Sequence, residues 1–275
     1  DIEFGLSKKN ELFLFQVRPI VTVNTDNKII KKDFKREINN INKKISNYFL
    51  SNKNDISGKT TLLSQMSDWN PVEMIGQYPS QLSYSLYEEL ITKSSWLKAR
   101  KLMGYKSFKD MRLMYKIGGK PYIDVRKSLN SLLPIELTNK LSDHFINYGI
   151  NKLKKEPELH DKIEFSLAPT CFTFDIDQKI SSIFGGKKNN FIKKNLKKIF
   201  LSLFIKNIKN NSLGNIENNL SKIKILRNFQ NSYIYKIDGN LSNIKLIIDQ
   251  TIKYGIIPFS ILARHGFIAK SFLNS

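Results

Sequence analysis

Sulfur and imidazole donors are scarce in this chain: one cysteine, Cys171, and three histidines stand among 275 residues. A single thiol excludes an internal disulfide framework, and so few donors argue against a structural zinc site. A reducing, cytoplasmic setting is the expectation. No uninterrupted apolar run reaches the roughly 18 residues that suggest a bilayer span, and no charged-then-apolar leader opens the chain. No membrane partner is expected. Acidic residues are also few, 24 against 45 Lys and Arg, which leaves a formal charge of +21.

That excess invites a nucleic-acid reading, because basic surfaces bind phosphate backbones by counterion release. The lysines, however, are scattered through Asn- and Ile-rich segments such as "NNINKKISNYFLSNKND" and "KKNNFIKKNLKKIF", a pattern that AT-rich coding produces whatever the function. Aromatics interleaved with arginine, the signature of base stacking, are not concentrated there. The charge therefore reads as compositional, and a basic nucleic-acid-binding module is kept only as the alternative.

What is present is enough to fold. Hydrophobic residues make up 41% of the chain, sufficient for a core in one large domain or two small ones. Residues 1–22 alternate apolar and polar around Ser7-Lys8-Lys9-Asn10 and read as a β-hairpin closed by Pro19. Residues 23–60 read as a polar connector with one weakly amphipathic helix. From Thr61 to Ser275 the pattern is mainly helical, so the expected fold class is mainly α with a small β-hairpin. "SYSLYEELITKSSWLKARKLMG" has helical spacing and stops at Gly104. Gly118-Gly119 marks a hairpin turn. Helices resume after Pro134, and in "FIKKNLKKIFLSLFIKNIK" the residues Ile192, Leu196, Ile199, Phe200, Leu203, Phe204 and Ile208 form one broad apolar face. Two separate helices, "LSNIKLIIDQTIKYG" and "PFSILARHGFIAKSFL", close the chain, the second with Pro258 in its first turn. The chain opens at Asp1 directly on a strand pattern, which reads as a piece of a longer protein.

Three constellations carry possible chemistry. In the hairpin, Gln16 and Arg18 are two apart and share a face, and pairing around the Lys8-Lys9 turn brings Glu3 to it. A carboxylate, an amide oxygen and a guanidinium together suit a divalent cation and the phosphates it bridges, while an edge hairpin with a surface ion pair is the plainer reading. The second is "QMSDWNPVEMIG". Asp68-Trp69-Asn70-Pro71 forms an Asx-type turn into a helix with Pro71 first and Glu73 in the first turn. Either this is a cap with a Trp anchor, or Asp68, Trp69, Asn70 and Glu73 line an acceptor pocket. The two readings are compatible. The third is Tyr122, Asp124 and Arg126, which alternate on an expected strand and would share a face, with Arg126 for an anion and Asp124 for a hydroxyl. A buried Asp-Arg tie is the alternative. His265 beside Arg264 is a candidate pocket base or a structural histidine. His160 and Cys171 carry weaker signals, Cys171 as core. "ISGKTT" is not a Walker loop, since that motif requires glycine where Lys53 stands.

A resemblance bears on these residues. "DIEF" followed by "LFLFQVRPI" resembles the closing strands of the ATP-grasp nucleotide-binding domain in the phosphoenolpyruvate synthase and pyruvate phosphate dikinase family. It implies that Glu3 and Gln16 ligate magnesium on ATP and that Arg18 contacts its phosphates, although the turn here is one residue longer than usual. "MSDWNPVEMIG", "YSLYEELITKSSW", "GGKPYIDVRKSLNSLLP", "ELHDKIEF" and "IPFSILARHGFIA" are similar, less specifically, to the central domain that follows, which binds the acceptor in rifampicin phosphotransferase-like enzymes. The resemblance implies an internal segment of a multidomain, ATP-dependent phosphotransferase: residues 1–22 closing the ATP-grasp domain, 23–60 connecting, and 61–275 binding an unidentified acceptor. "SSIFGGKKNN" has no histidine after its Gly-Gly, and His144, His160 and His265 have the wrong surroundings. The phosphohistidine swivelling domain is therefore expected elsewhere in the full-length protein, and the isolated segment is expected to be inactive. A scaffold that has lost the chemistry is the remaining alternative.

Overall fold

The computed structural model describes residues 2–17, 36, 38–40, 42–43, 55–184, 190–209, 214–233 and 241–275. The chain divides into two compact units, Asp1–Ser46 and Asn47–Ser275. In the first, β1 (Ile2–Leu6) pairs antiparallel with β2 (Leu12–Val17), and a bulge falls between Glu3 and Phe4. The turn closes through Asn10 N–H to the Ser7 carbonyl, with Asn10 at φ 62°. Asparagine tolerates that left-handed conformation better than most side chains. Of the helix expected between residues 31 and 50, positions 36–43 are helical where described. The rest of that stretch, and Arg18, lie outside the described residues.

The second unit is mainly helical around a three-stranded antiparallel sheet of order β3-β5-β4. Its elements begin with β3 (Leu63–Ser64), α1 (Pro71–Ile75), α2 (Gln81–Tyr87), a π-helical turn (Glu88–Thr92) and α3 (Ser95–Leu102). The helix expected across "SYSLYEELITKSSWLKARKLMG" is thus broken, because Ser94 leaves the helical region at φ −155°. Next come β4 (Met114–Ile117) and β5 (Lys120–Asp124), joined by Gly118 and Gly119 at φ 56° and 81°. Positive φ at both central residues matches the twist of an antiparallel pair, so the glycines set the hairpin as expected.

Then follow α4 (Val125–Asn130), α5 (Asn139–Lys155), a 3-10 turn (Pro157–Asp161), a π turn (Ile163–Leu167), α6 (Ile176–Phe184), α7 (Asn190–Ile208), α8 (Ile216–Tyr233) and α9 (Leu241–Thr251). The last two expected helices are continuous. A π turn at Ile252–Ile256 joins α9 to α10 (Ile257–Asn274). The wider π turn lets the Ile257 N–H reach the Ile252 carbonyl, so Pro258, which lacks an N–H, enters without ending the helix. By length and composition, Asn243–Asn274 is the one described helix able to cross a bilayer. In this fold its Ser260, Ile261, Arg264 and Ile268 are buried against the rest of the protein.

Among the described residues, three clusters make the core. The largest joins α4, α5, α6 and α7 through residues including Val125, Leu129, Phe145, Ile180, Leu196 and Phe200. A second gathers Tyr84, Tyr87, Trp96, Leu97, Met114 and Ile123 around the sheet. A third seats Ala99, Met103, Tyr105, Cys171 and Leu203 against Ile261 and Ile268 of α10. The face expected on α7 is used as read: Leu196, Phe200 and Leu203 are buried, and Ile192, Ile199 and Phe204 pack beside them. Ile208 is left exposed. Phe200→Ala should cost about 3–5 kcal/mol in urea unfolding, whereas Ile205→Ala, on the solvent side of the same helix, should stay within about 0.5 kcal/mol.

Candidate functional site

The segment leading into α1 holds two consecutive non-glycine residues in left-handed conformations, Trp69 at φ 69° and Asn70 at φ 34°. Such geometry is costly and persists only where surrounding contacts impose it. Here the Tyr87 hydroxyl donates to the Trp69 carbonyl, and the Trp69 ring packs against the second cluster. Trp69 Nε1 is buried with no acceptor among the described residues. Pro71 occupies the first turn as expected, with Glu73 beside it. The Asx turn does not form. Asn70 is the cap residue without a side-chain cap bond, and its amide donates instead to Glu73 Oε2 at 3.2 Å.

Asp68 is drawn inward because a guanidinium waits there. Arg100 on α3 donates from Nη2 to Asp68 Oδ1 and to Glu164 Oε1, each at 2.8 Å, and from Nη1 to the Ser131 hydroxyl. Ser128 donates to the other Asp68 oxygen. Glu164 also faces Arg264 of α10 at 3.8 Å. Arg264 donates to the Tyr105 hydroxyl and the Thr170 carbonyl. Two carboxylates and two guanidinium groups thus balance inside the fold, where an unpaired charge would be prohibitive. Burial pushes the Glu164 carboxyl up in pKa, against the opposing pull of Arg264 and Arg100. No local spacing announced this network. His265, next to Arg264, is half-buried, and its Nε2 donates to the Gly214 carbonyl at 2.6 Å, tying α10 to the start of α8.

Tyr122, Asp124 and Arg126 do not share a face, contrary to the strand expectation. β5 ends at Asp124, whose carboxylate accepts the Lys127 N–H at 3.0 Å and so starts α4. A side chain that caps a helix removes the next residues from the strand. Asp124 is buried and also accepts from the Thr61 hydroxyl at 2.6 Å. Tyr122 lines an apolar cleft of about 580 Å3 with Gln65 and His160. Arg126 lies on α4 and lines a separate, polar cavity of about 340 Å3 with Asp55, Lys59, Asn139 and Asp143. The expected Asp-Arg tie is not made either. Arg126 donates to the Ile56 and Ser57 carbonyls.

Residues 55–60, at the end of the expected connector, are bound tightly into this unit. Ser57, Gly58 and Lys59 donate their backbone N–H groups to Asn130, Asp143 and Asn147 in turn. A phosphate-binding loop needs such N–H groups turned toward its ligand, so this Gly-Lys-Thr cannot act as one. Gly58 is required twice over. Its φ is +93°, and a Cβ there would come within 2.4 Å of Ile146 Cγ2. The loop therefore presents side chains to the cavity: Lys59 and Arg126 are the cations, Asp55 and Asp143 the carboxylates. That set can orient a ligand with hydroxyl and anionic groups.

In the first unit the backbone register sets Glu3 directly opposite Gln16. Among the described residues, no group of three or more His, Cys, Asp or Glu side chains gathers for a metal.

Two consequences are measurable. Arg100→Met should destabilise by about 3–5 kcal/mol in urea unfolding, because it strands two buried carboxylates. Asp124 is pushed up to about 6 from 3.8, first by burial and against the Lys127 N–H bond. A carboxyl with a raised native pKa contributes most below its unfolded pKa, and that contribution is lost as pH rises through the native value. Relative to Asp124→Asn, which keeps the capping oxygen, the wild type should therefore lose up to roughly 3 kcal/mol between pH 4 and pH 7, read by parallel unfolding curves.

No protein-family model, curated protein or solved structure matches the chain, so the functional reading rests on the residues and on the geometry described above.

Proposed function

We propose that the chain is an internal segment of an ATP-dependent phosphotransferase similar to phosphoenolpyruvate synthase, acting in the cytoplasm, with the first unit completing a nucleotide site and the second holding the phosphate acceptor. The observation that carries the reading is the ladder register of Glu3 against Gln16, the two positions that the resemblance makes magnesium ligands. A carboxylate and an amide oxygen are hard donors, and two protein ligands leave coordination positions for the nucleotide phosphates and water, as magnesium prefers. When bound, magnesium would neutralise charge on the phosphates of ATP. Arg18, outside the described residues, has the role of a phosphate contact.

The hairpin surface supports the same assignment. Phe4, Leu6, Leu12, Phe13, Leu14, Phe15 and Val17 are all more than half exposed, which leaves apolar side chains along both strands uncovered. A lone two-stranded ribbon is marginal in water. Closing strands of a larger nucleotide-binding sheet would have such a surface. In the second unit, the cavity around Arg126 is the polar site for the acceptor: Arg126 and Lys59 would hold an anionic group, and Asp143 a hydroxyl. Chemistry at the acceptor then depends on a phosphoryl group delivered by the swivelling histidine domain.

The test uses the full-length protein with Mg2+ and ATP labelled separately at the β and γ phosphates. Acid-labile label on histidine is expected, with Glu3→Ala or Arg18→Ala lowering its rate of appearance by roughly a hundredfold. Absence of label under conditions in which a dikinase control is labelled would overturn the catalytic reading and leave the second unit a binding or scaffold domain.

A further inference from the structure

The apolar cleft that takes Tyr122 follows a sheet edge that no other described strand pairs with. Among the described residues, β3 pairs only with β5 and forms the outer strand of its sheet. Leu63 stands opposite Asp124 in that ladder, while the Val125 N–H bonds to the Leu62 carbonyl. Leu63 therefore occupies a non-hydrogen-bonded position of the antiparallel pair, and its own N–H and C=O point away from β5. An edge that no described strand pairs with is a template for another extended chain.

The rest of the cleft fits such a chain. Its lining includes the continuous stretch Leu62–Met66 together with Lys154, Pro157 and His160. The Gln65 Nε2 amide, a donor, is buried without an acceptor among the described residues. His160 Nδ1 donates to the Pro157 carbonyl at 2.8 Å, which leaves Nε2 as an acceptor when the ring is neutral. Lys154, exposed at the end of α5, is the one Lys, Arg, Asp or Glu among the lining residues and forms no ion pair with a described residue.

We propose that the β3 edge and its cleft are a docking site for an extended peptide segment that adds a strand beside Leu63, inserts an apolar side chain among Leu62, Met66 and Pro157, and sets an acidic residue against Lys154. Backbone hydrogen bonds to Leu63 supply register, and the cleft and Lys154 supply selectivity, as in other strand-addition sites. This site is distinct from the Arg126 cavity and does not depend on the phosphotransferase reading.

A phage-displayed library of random decapeptides, selected on the whole chain, tests it. Enriched peptides should alternate apolar residues and carry Asp or Glu. Synthetic versions measured by fluorescence anisotropy should weaken by about tenfold or more when the backbone nitrogen of the central residue is methylated, since this removes an edge hydrogen bond without altering the protein. Lys154→Glu, at an exposed position, should weaken the acidic peptides several-fold and shift selection toward Lys-bearing ones. Failure to enrich any peptide would overturn the proposal. So would binding indifferent to both N-methylation and Lys154→Glu, or sedimentation showing that the edge is occupied by a second copy of the chain.

Discussion

One guanidinium organises the larger unit. Arg100 binds Asp68 and Glu164 with the same nitrogen, and thereby joins the segment before α1 to α3 and to the π turn at Ile163–Leu167. Through Glu164 the charge passes to Arg264, and α10 is held by the same balance. A buried ion cluster contributes little net stability compared with apolar packing, but it penalises alternatives heavily, because any displacement leaves a charge unpaired. The two left-handed residues at Trp69 and Asn70 follow from it. With Asp68 held by Arg100 and Ser128, and Pro71 fixed at the start of α1, the chain has only two residues in which to reverse.

Side chains repeatedly take over backbone bonding where regular structure ends. Asp124 turns a strand into a helix by accepting the Lys127 N–H. Asn130, Asp143 and Asn147 do the same for three successive amides at residues 57–59. The Ser57 amide is buried, where an unpaired donor would be costly, while the Gly58 and Lys59 amides bond at the exposed side of the loop and fix its course. Such side-chain bonding separates Tyr122 from Arg126 and leaves them beside two cavities of different character: a polar one next to the stapled loop and an apolar cleft along β3.

These features explain which parts of the fold were legible. The two hairpins could be read from period-two alternation and from turn residues that accept positive φ, Asn10 in one and Gly118-Gly119 in the other. The buried face of α7 followed from its apolar spacing, and Pro71 marked the start of α1. Arg126 was misread because β-type residues continue through Val125, while the signal that overrides them, the Asp124 carboxylate, acts only once its oxygen meets the Lys127 amide. The joining of α9 and α10 was hidden for a similar reason: proline ordinarily ends a helix, and the π turn that admits Pro258 has no separate mark in composition.

The amino-acid sequence by itself determined the mainly helical class, the hairpins and the presence of a carboxylate, an amide and an arginine in the first unit, because these depend on neighbours a few residues apart. Only the tertiary structure decided what Asp68, Tyr122, Asp124 and Arg126 face. Their partners lie far along the chain, Asp68 to Arg100 across 32 residues and Arg126 to Ile56 across 70, and a charge or donor selects its partner only after packing has removed the water that would otherwise satisfy it.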